Sequence, residues 1–192
     1  MMQSDDNSND IYKIIAKILH AGGIIAYPTE AVYGLGCDPL NEASVLKLLA
    51  LKKREVAKGL ILLASSWSQI EALIAIEKIP KDQLVKIKSS WPGPITWIFP
   101  AAKKVPKWIT GAYESVAIRI TAHPIAKAIC ENFGGAIVST SANVANNSPA
   151  KTYDELIAEF GADVFDMVLV GAVGKLEKPT PIYDALTGKA VR

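Results

Sequence analysis

Apolar and polar positions fall into runs of two kinds along the chain, separated by turn residues. Ile11, Ile14, Ile15, Ile18 and Leu19 recur at the three- and four-residue spacing of an amphipathic helix, capped by Asn9 or Asp10 and ended by Gly22-Gly23. Ile24 to Tyr27 reads as a short buried strand. A second helix follows a cap at Asn41, with Val45, Leu48 and Leu49 inward. The pattern then predicts a strand from Leu60 to Ala64, a helix from about Ser66 to Ala75 and, after Pro80, a helix of roughly Asp82 to Ser89. The turn Trp91-Pro92-Gly93-Pro94 leads into a strand, Ile95 to Phe99. Ser115 to Thr121 is the next strand, and a helix opening near Pro124 is closed by Gly134-Gly135. The strand Ala136 to Thr140 follows. Thr152 and Glu155 form a capping box for a helix to about Phe160. Two late strands, Met167 to Val170 and Pro181 to Ala185, precede a hairpin turn at Leu186-Thr187-Gly188-Lys189.

Strands and helices alternate, yet several connections are too short for a crossover helix. The expected fold is therefore α/β, a single domain with a twisted mixed parallel/antiparallel sheet flanked by helices. The chain has 192 residues, half of them hydrophobic, enough to bury roughly 70% of the unfolded surface in one core. Repeats, low-complexity tracts and linkers that would divide it are not apparent, so residues 11–192 read as one domain. Residues 1–10, MMQSDDNSND, hold three acids and no base, and read as a disordered acidic tail rather than a signal peptide. No stretch approaches the ~18 apolar residues of a membrane helix. Two cysteines, Cys37 and Cys130, are too few for a disulfide framework, which suits a cytoplasmic location. A net charge of +2 does not mark the whole chain as a nucleic-acid binder.

Several chemistries are excluded by pattern. The P-loop motif does not occur, and Gly34-Leu35-Gly36 is only half a dinucleotide fingerprint, with Pro39 in the third glycine's place. Two histidines, His20 and His123, and two cysteines without metal-type spacing offer no zinc site. There is no Gly-x-Ser-x-Gly elbow. What remains is four features. The segment Tyr27 to Gly36 turns through small and hydroxyl residues at a strand's end, where α/β proteins place ligands. Lys52, Lys53, Arg54 and Lys58 either complement a helix C-terminus or clamp a polyphosphate. Ser139-Thr140-Ser141-Ala142-Asn143 either caps the next element or binds phosphate and ribose oxygens. Arg119 stands in an apolar strand, and its charge needs an anion, either a substrate carboxylate or a structural Asp or Glu.

In order, Pro28-Thr29-Glu30-Ala31-Val32-Tyr33-Gly34-Leu35-Gly36, Lys52-x-Arg54-(x3)-Lys58-Gly59-Leu60, Trp91-Pro92-Gly93-Pro94-Ile95-Thr96, Val116-Ala117-Ile118-Arg119, His123-Pro124 and Ser139-Thr140-Ser141-Ala142-Asn143 resemble the YrdC/TsaC family of threonylcarbamoyl-AMP synthases. The closing Tyr183-Asp184-Ala185-Leu186-Thr187-Gly188 is similar to that of its short, single-domain bacterial members. The resemblance implies a YrdC-like fold around a basic cavity. It also implies synthesis of threonylcarbamoyl-adenylate and pyrophosphate from L-threonine, bicarbonate and ATP, with Mg²⁺ carried by the nucleotide and no protein metal site. The product would pass to transfer proteins that modify tRNA. Carried over residue by residue, Lys52, Arg54, Ser141 and Asn143 form the catalytic set. They would also bind ATP with Lys58 and Ser115, while Thr29, Arg119, Ser139 and Thr180 would contact threonine. The chain departs from the family at Glu55, where proline is common, and at Leu63, where longer relatives have a histidine. It departs again at Ala145-Asn146, where Ser-Gly is usual, and at Pro179-Thr180-Pro181, in place of a Glu-Ser-Thr type segment. The competing expectation is a non-catalytic RNA-binding factor in tRNA or ribosome maturation, with Trp91, Trp97 and Trp108 beside a basic concavity.

Overall fold

A computed structural model describes residues 5–176 and 180–191. Its helices are α1 (Asp5–His20), α2 (Glu42–Leu51), α3 (Lys81–Ser89), α4 (Lys107–Thr110), α5 (Pro124–Phe133) and α6 (Tyr153–Phe160). Its strands are β1 (Ile25–Pro28), β2 (Tyr33–Gly36), β3 (Ile61–Ala64), β4 (Thr96–Pro100), β5 (Ser115–Ile120), β6 (Ile137–Ser141), β7 (Met167–Val168) and β8 (Ile182–Asp184). They form one eight-stranded sheet in the order β7-β1-β2-β6-β3-β5-β4-β8. The pairs β7-β1, β3-β5 and β4-β8 are parallel and the others antiparallel, the mixed sheet that the short connections require.

The local signals act as the pattern predicts at several places. Asn41 caps α2 by accepting from Ser44 N at 3.1 Å, and Thr152 and Glu155 close a complete capping box on α6. Gly134 ends α5 in the left-handed region.

Four elements differ from expectation. Helix α1 opens at Asp5, so residues 5–10 are helical rather than a loose tail. The first four N–H groups of any helix have no intrahelical partner, and a start at Asp5 places them ahead of the apolar stripe that begins at Ile11. Residues 1–4 lie outside the described residues. The expected helix from Ser66 to Ala75 is instead a chain of 3₁₀ turns at Trp67–Gln69, Glu71–Leu73 and Ile76–Lys78. Gln69 there accepts from Ser65 N and donates to Cys130 O, both at 2.9 Å, while Ile74 bridges to Ala101, and these tertiary bonds outbid the helical ladder. Strand β2 lies within what reads as a loop. Its four residues are all buried, so no period of two is visible in the sequence. The single turn α4 also has no periodic signal.

The two faces of the sheet are filled differently. One packs Leu35, Leu62, Val138, Ile118 and Phe99 into the larger core with α2 and Trp91. On the other, α1 and α5 cover Ile25, Tyr27, Leu63 and Ile137. Helices stop there, although the strands continue. Ser139 and Ala117 flank Ile61 in the register, Ala117 faces Ile98, and Gly34 faces Ser141. That row, on the face α1 and α5 leave uncovered, is the floor of a cleft. Cys37 and Cys130 are buried and free, and burial pushes both thiols up to about 12, which keeps them inert.

Candidate active site

The cleft has a volume of about 610 Å³, within the range of small-molecule sites. Among the described residues its lining carries four cations, Arg54, Lys58, Arg119 and Lys151, and no acid. Of the ten residues expected from the sequence, eight line it: Thr29, Arg54, Lys58, Ser115, Arg119, Ser139, Ser141 and Thr180. Lys52 and Asn143 do not. They lie behind Ser141, in direct contact with it.

Arg54 is placed by a local device. Helix α2 ends in a Schellman turn, with Lys53 N bonded to Ala50 O at 3.0 Å and Arg54 N to Leu49 O at 2.9 Å. Lys53 takes the left-handed position at φ 50, which sends Lys52 inward and Arg54 toward the cleft. Arg54 Nη2 donates to Gly59 O at 2.9 Å. Gly59 has φ 61, and a Cβ there would meet Thr110 O at 3.0 Å, so only glycine fits without strain. Burial lowers the Arg54 pKa from its ordinary value. Its Nε is buried without a hydrogen-bond partner, so the protein does not satisfy this cation fully.

Arg119, 8% exposed, finds the structural carboxylate that its apolar surroundings demand. Its Nη2 lies 3.4 Å from Glu30 Oε2, and its Nη1 donates to Thr180 Oγ1 at 3.2 Å. Glu30 Oε1 accepts from Thr121 Oγ1 at 2.5 Å. Burial alone would push the Glu30 carboxyl up, but Arg119 and Thr121 outweigh it and hold the group below the usual range. The strap at 171–176 secures the same corner: Gly174 N donates to Thr29 O at 2.8 Å and Leu176 N to Glu30 O at 3.2 Å. A Cβ at Gly174 would stand 2.4 Å from Glu30 O, so no larger residue could cross there unmoved. Tyr27, its phenol pushed up by burial and therefore protonated, donates to Ser139 Oγ at 2.9 Å. Thr29 Oγ1 donates to Val32 O at 2.8 Å, closing the β1–β2 turn.

The Lys52 ammonium donates to the carbonyl oxygen of Ser141, to Asn143 O at 2.7 Å and to Asn143 Oδ1 at 3.5 Å. Ser141 Oγ donates to Asn143 Oδ1 at 2.6 Å. The loop beyond passes through Asn146 at φ 73, a left-handed position that asparagine tolerates better than most residues, which accounts for a non-glycine residue there. Glu55 is exposed at φ −65, the value a proline ring imposes, so the backbone is unchanged by the substitution of that type. Leu63 is fully buried under α1 and α5, away from the cleft, and Pro179 lies outside the described residues.

Sequence reasoning missed Glu30, Lys151, Tyr113 and the penultimate Val191 as parts of the site. Only Glu30 carried a signal, as an acid at the end of a buried strand in a chain with a lone buried arginine. The tryptophans do not form a stacking surface. Trp91 and Trp97 are buried against Phe99 and Tyr183, and Trp108 spends its N–H on Pro39 O at 2.9 Å.

This combination of mixed sheet, uncovered floor and paired basic and hydroxyl motifs defines a family: the chain belongs to Sua5/YciO/YrdC, whose model, described as telomere recombination, matches residues 17–192. It is 48% identical over 188 residues to the threonylcarbamoyl-AMP synthase of Coxiella burnetii RSA 493, covering 98% of this chain and 99% of that one. It is 47% identical over 180 residues to the threonylcarbamoyl-AMP synthase of Methylococcus capsulatus, covering 94% and 95%. Among solved structures it is similar to P. abyssi Sua5 complexed with L-threonine, with a TM-score of 0.85 and 30% identity. That match covers 92% of this chain but 51% of the archaeal one, so the chain spans about half of that longer protein.

Proposed function

We propose that the chain is a threonylcarbamoyl-AMP synthase, joining L-threonine, bicarbonate and ATP into threonylcarbamoyl-adenylate with release of pyrophosphate. The observation that carries the reading is that two incompletely satisfied guanidinium groups, Arg54 and Arg119, face one hydroxyl-lined cleft. Arg54 is anchored at Gly59, and Arg119 pairs in register with Leu63. Two such cations in one cleft suit a ligand with a carboxylate at one end and a polyphosphate at the other. The relatives named above as synthases, and the neighbour bound to L-threonine, support the same assignment.

Bicarbonate takes up a proton and loses water to give carbon dioxide, and threonine's free amine adds to it, releasing a proton as the carbamate forms. A carbamate oxygen attacks the α-phosphorus of ATP, forming the O–P bond as the bond to the β-phosphate oxygen breaks and pyrophosphate leaves. No protein nucleophile is needed, so alignment and charge neutralisation carry the catalysis. Arg119 holds the threonine carboxylate, with Thr29, Ser139 and Thr180 around it. Arg54 and Lys58 neutralise the phosphates, and Ser115 lies toward the nucleotide. Ser141 sits between, where the carbamate forms. The described lining of hydroxyls and cations, without carboxylates, does not build a resident metal site, so Mg²⁺ would be carried by the phosphates of ATP and would share their neutralisation with Arg54 and Lys58. The product is handed, in the cytoplasm, to the proteins that transfer the threonylcarbamoyl group to tRNA.

The test is pyrophosphate release by the purified chain with ATP and bicarbonate, in parallel with threonine, serine and no amino acid. Release that requires threonine and bicarbonate together is expected. Release independent of the amino acid would overturn the reading.

A further inference from the structure

The two halves of the Lys-x-Arg pair face different surroundings. Arg54 lines the cleft, whereas Lys52 lies beneath it, 3% exposed. An ammonium has three N–H donors and no acceptor. Those of Lys52 are directed at the chain's own oxygens, the carbonyls of Ser141 and Asn143 and Asn143 Oδ1. The Lys52 carbonyl in turn accepts from Ala145 N at 2.9 Å. Side chain and backbone of one residue thus pin the loop from 141 to 145. A phosphate oxygen would have to displace one of these partners at a point that does not face the cleft.

The Asn143 amide fixes what the loop presents. Its Nδ2 donates to Val144 O at 2.9 Å and to Asn147 O at 3.0 Å. Both partners are carbonyls and can only accept, so the nitrogen must lie on that side and Oδ1 must face Lys52 and Ser141. Ser141 Oγ, 2.6 Å from Oδ1, therefore has to donate to it. Its proton is committed, and the oxygen turns lone pairs toward the cleft.

We infer that Lys52 is a positioning residue: acting through Asn143, it holds Ser141 Oγ toward the cleft as a hydrogen-bond acceptor, and does not itself bind phosphate. What that acceptor takes rests on the synthase reading, in which the carbamate supplies an N–H donor where a phosphate oxygen would be a second acceptor. Burial first, then the neighbouring Arg54, lowers the Lys52 pKa to about 8, with Glu159 opposing.

Two measurements test this. In the first, surface amines of the wild-type chain are acylated with and without ATP and mapped by mass spectrometry. Lys58 and Lys151, exposed at the cleft, are expected to react and to be protected by ATP, while Lys52 stays unmodified in both samples. Reaction of Lys52 that ATP suppresses would overturn the inference. In the second, pyrophosphate release is compared for Lys52→Met, Lys52→Arg, Ser141→Ala and the Lys52→Met/Ser141→Ala pair. Residues acting as a unit are non-additive, so each single variant should lose kcat by about a hundredfold, and the double by no more than a few-fold beyond that. The ATP KM should stay within about threefold throughout, because uniform phosphate binding is not what is removed. Lys52→Arg should not rescue, since a planar guanidinium cannot replace the three converging ammonium bonds. Multiplicative losses in the double, near-normal turnover in Lys52→Arg, or an order-of-magnitude rise in ATP KM would each overturn it. Should Lys52→Met not fold, the acylation map decides alone. Should the wild type release no pyrophosphate, the synthase reading fails, and the map still locates Lys52.

Discussion

Replacing Glu30 by glutamine removes one charge from the most buried ion pair among the described residues and changes little else in shape. Glu30 is 9% and Arg119 8% exposed, and their closest atoms stand 3.4 Å apart. At an effective dielectric of 20, unit charges at that separation attract by about 5 kcal/mol. Desolvation of both groups offsets part of this, but that cost has already been met in the folded chain. Glu30→Gln leaves the Arg119 charge buried without its anion, a change that typically costs about 3–5 kcal/mol. The amide has one oxygen for the two positions that Oε1 and Oε2 fill, so it keeps the bond from Thr121 or the contact with Arg119 but not both, which places the expected loss in the middle of that range, about 4 kcal/mol. Urea unfolding at pH 7 measures it, and a cycle with Arg119→Gln isolates the pair. The carboxyl's folded pKa is depressed, so its contribution is complete above the unfolded value of 4.5 and is lost as pH falls through the lower folded value. The difference between wild type and Glu30→Gln should therefore shrink in acid. Threonine should stabilise the variant more than the wild type, because its carboxylate restores an anion beside Arg119. A coupling below about 0.5 kcal/mol, the error of additivity for independent sites, would refute the view that Glu30 holds Arg119 in place.

Arg54→Ala should lower kcat by about a hundredfold, the scale of losing one donor worth ~3 kcal/mol in the transition state, with an unchanged circular dichroism spectrum. Lys53→Gly should raise stability by about 0.5–1 kcal/mol, since an exposed lysine at φ 50 bears a cost that glycine does not. A chain of this size would show that as a rise in Tm of roughly 2 °C. Lys52 has a folded pKa near 8 against an unfolded 10.5, so between those values the unfolded chain binds more protons. Its burial penalty is full below pH 8 and relieved as pH climbs to 10.5. The stability of wild type relative to Lys52→Met should accordingly rise across that window, measured by unfolding at a series of pH values.

Much of the frame was legible because the signals were local. Asn41, the Thr152–Glu155 box and Gly134 each act through bonds made within a few residues, and each acts as its spacing predicts. The 66–75 segment was misread because its fate is decided elsewhere: Gln69 reaches across to Cys130, and Ile74 pairs with Ala101. Strand β2 gave no period because it is buried on both faces, the condition under which strand and loop look alike in one dimension.

The site divides along the same line. That Arg119 must have an anion followed from its apolar neighbours alone, and the sequence left open whether substrate or protein would supply it. The structure answers with Glu30, 89 positions earlier in the chain, and the answer changes what Arg119 can do. A guanidinium already paired with a carboxylate binds a second one less tightly than a bare cation would, yet its orientation is fixed before the ligand arrives. Weak binding in a preset geometry is what a catalyst would need from the threonine handle proposed for Arg119, since tight ground-state binding would add nothing to turnover. Residue types and spacing revealed which groups carry charge; only the fold shows that Glu30 and the 141–145 loop spend part of that charge on holding the rest in place.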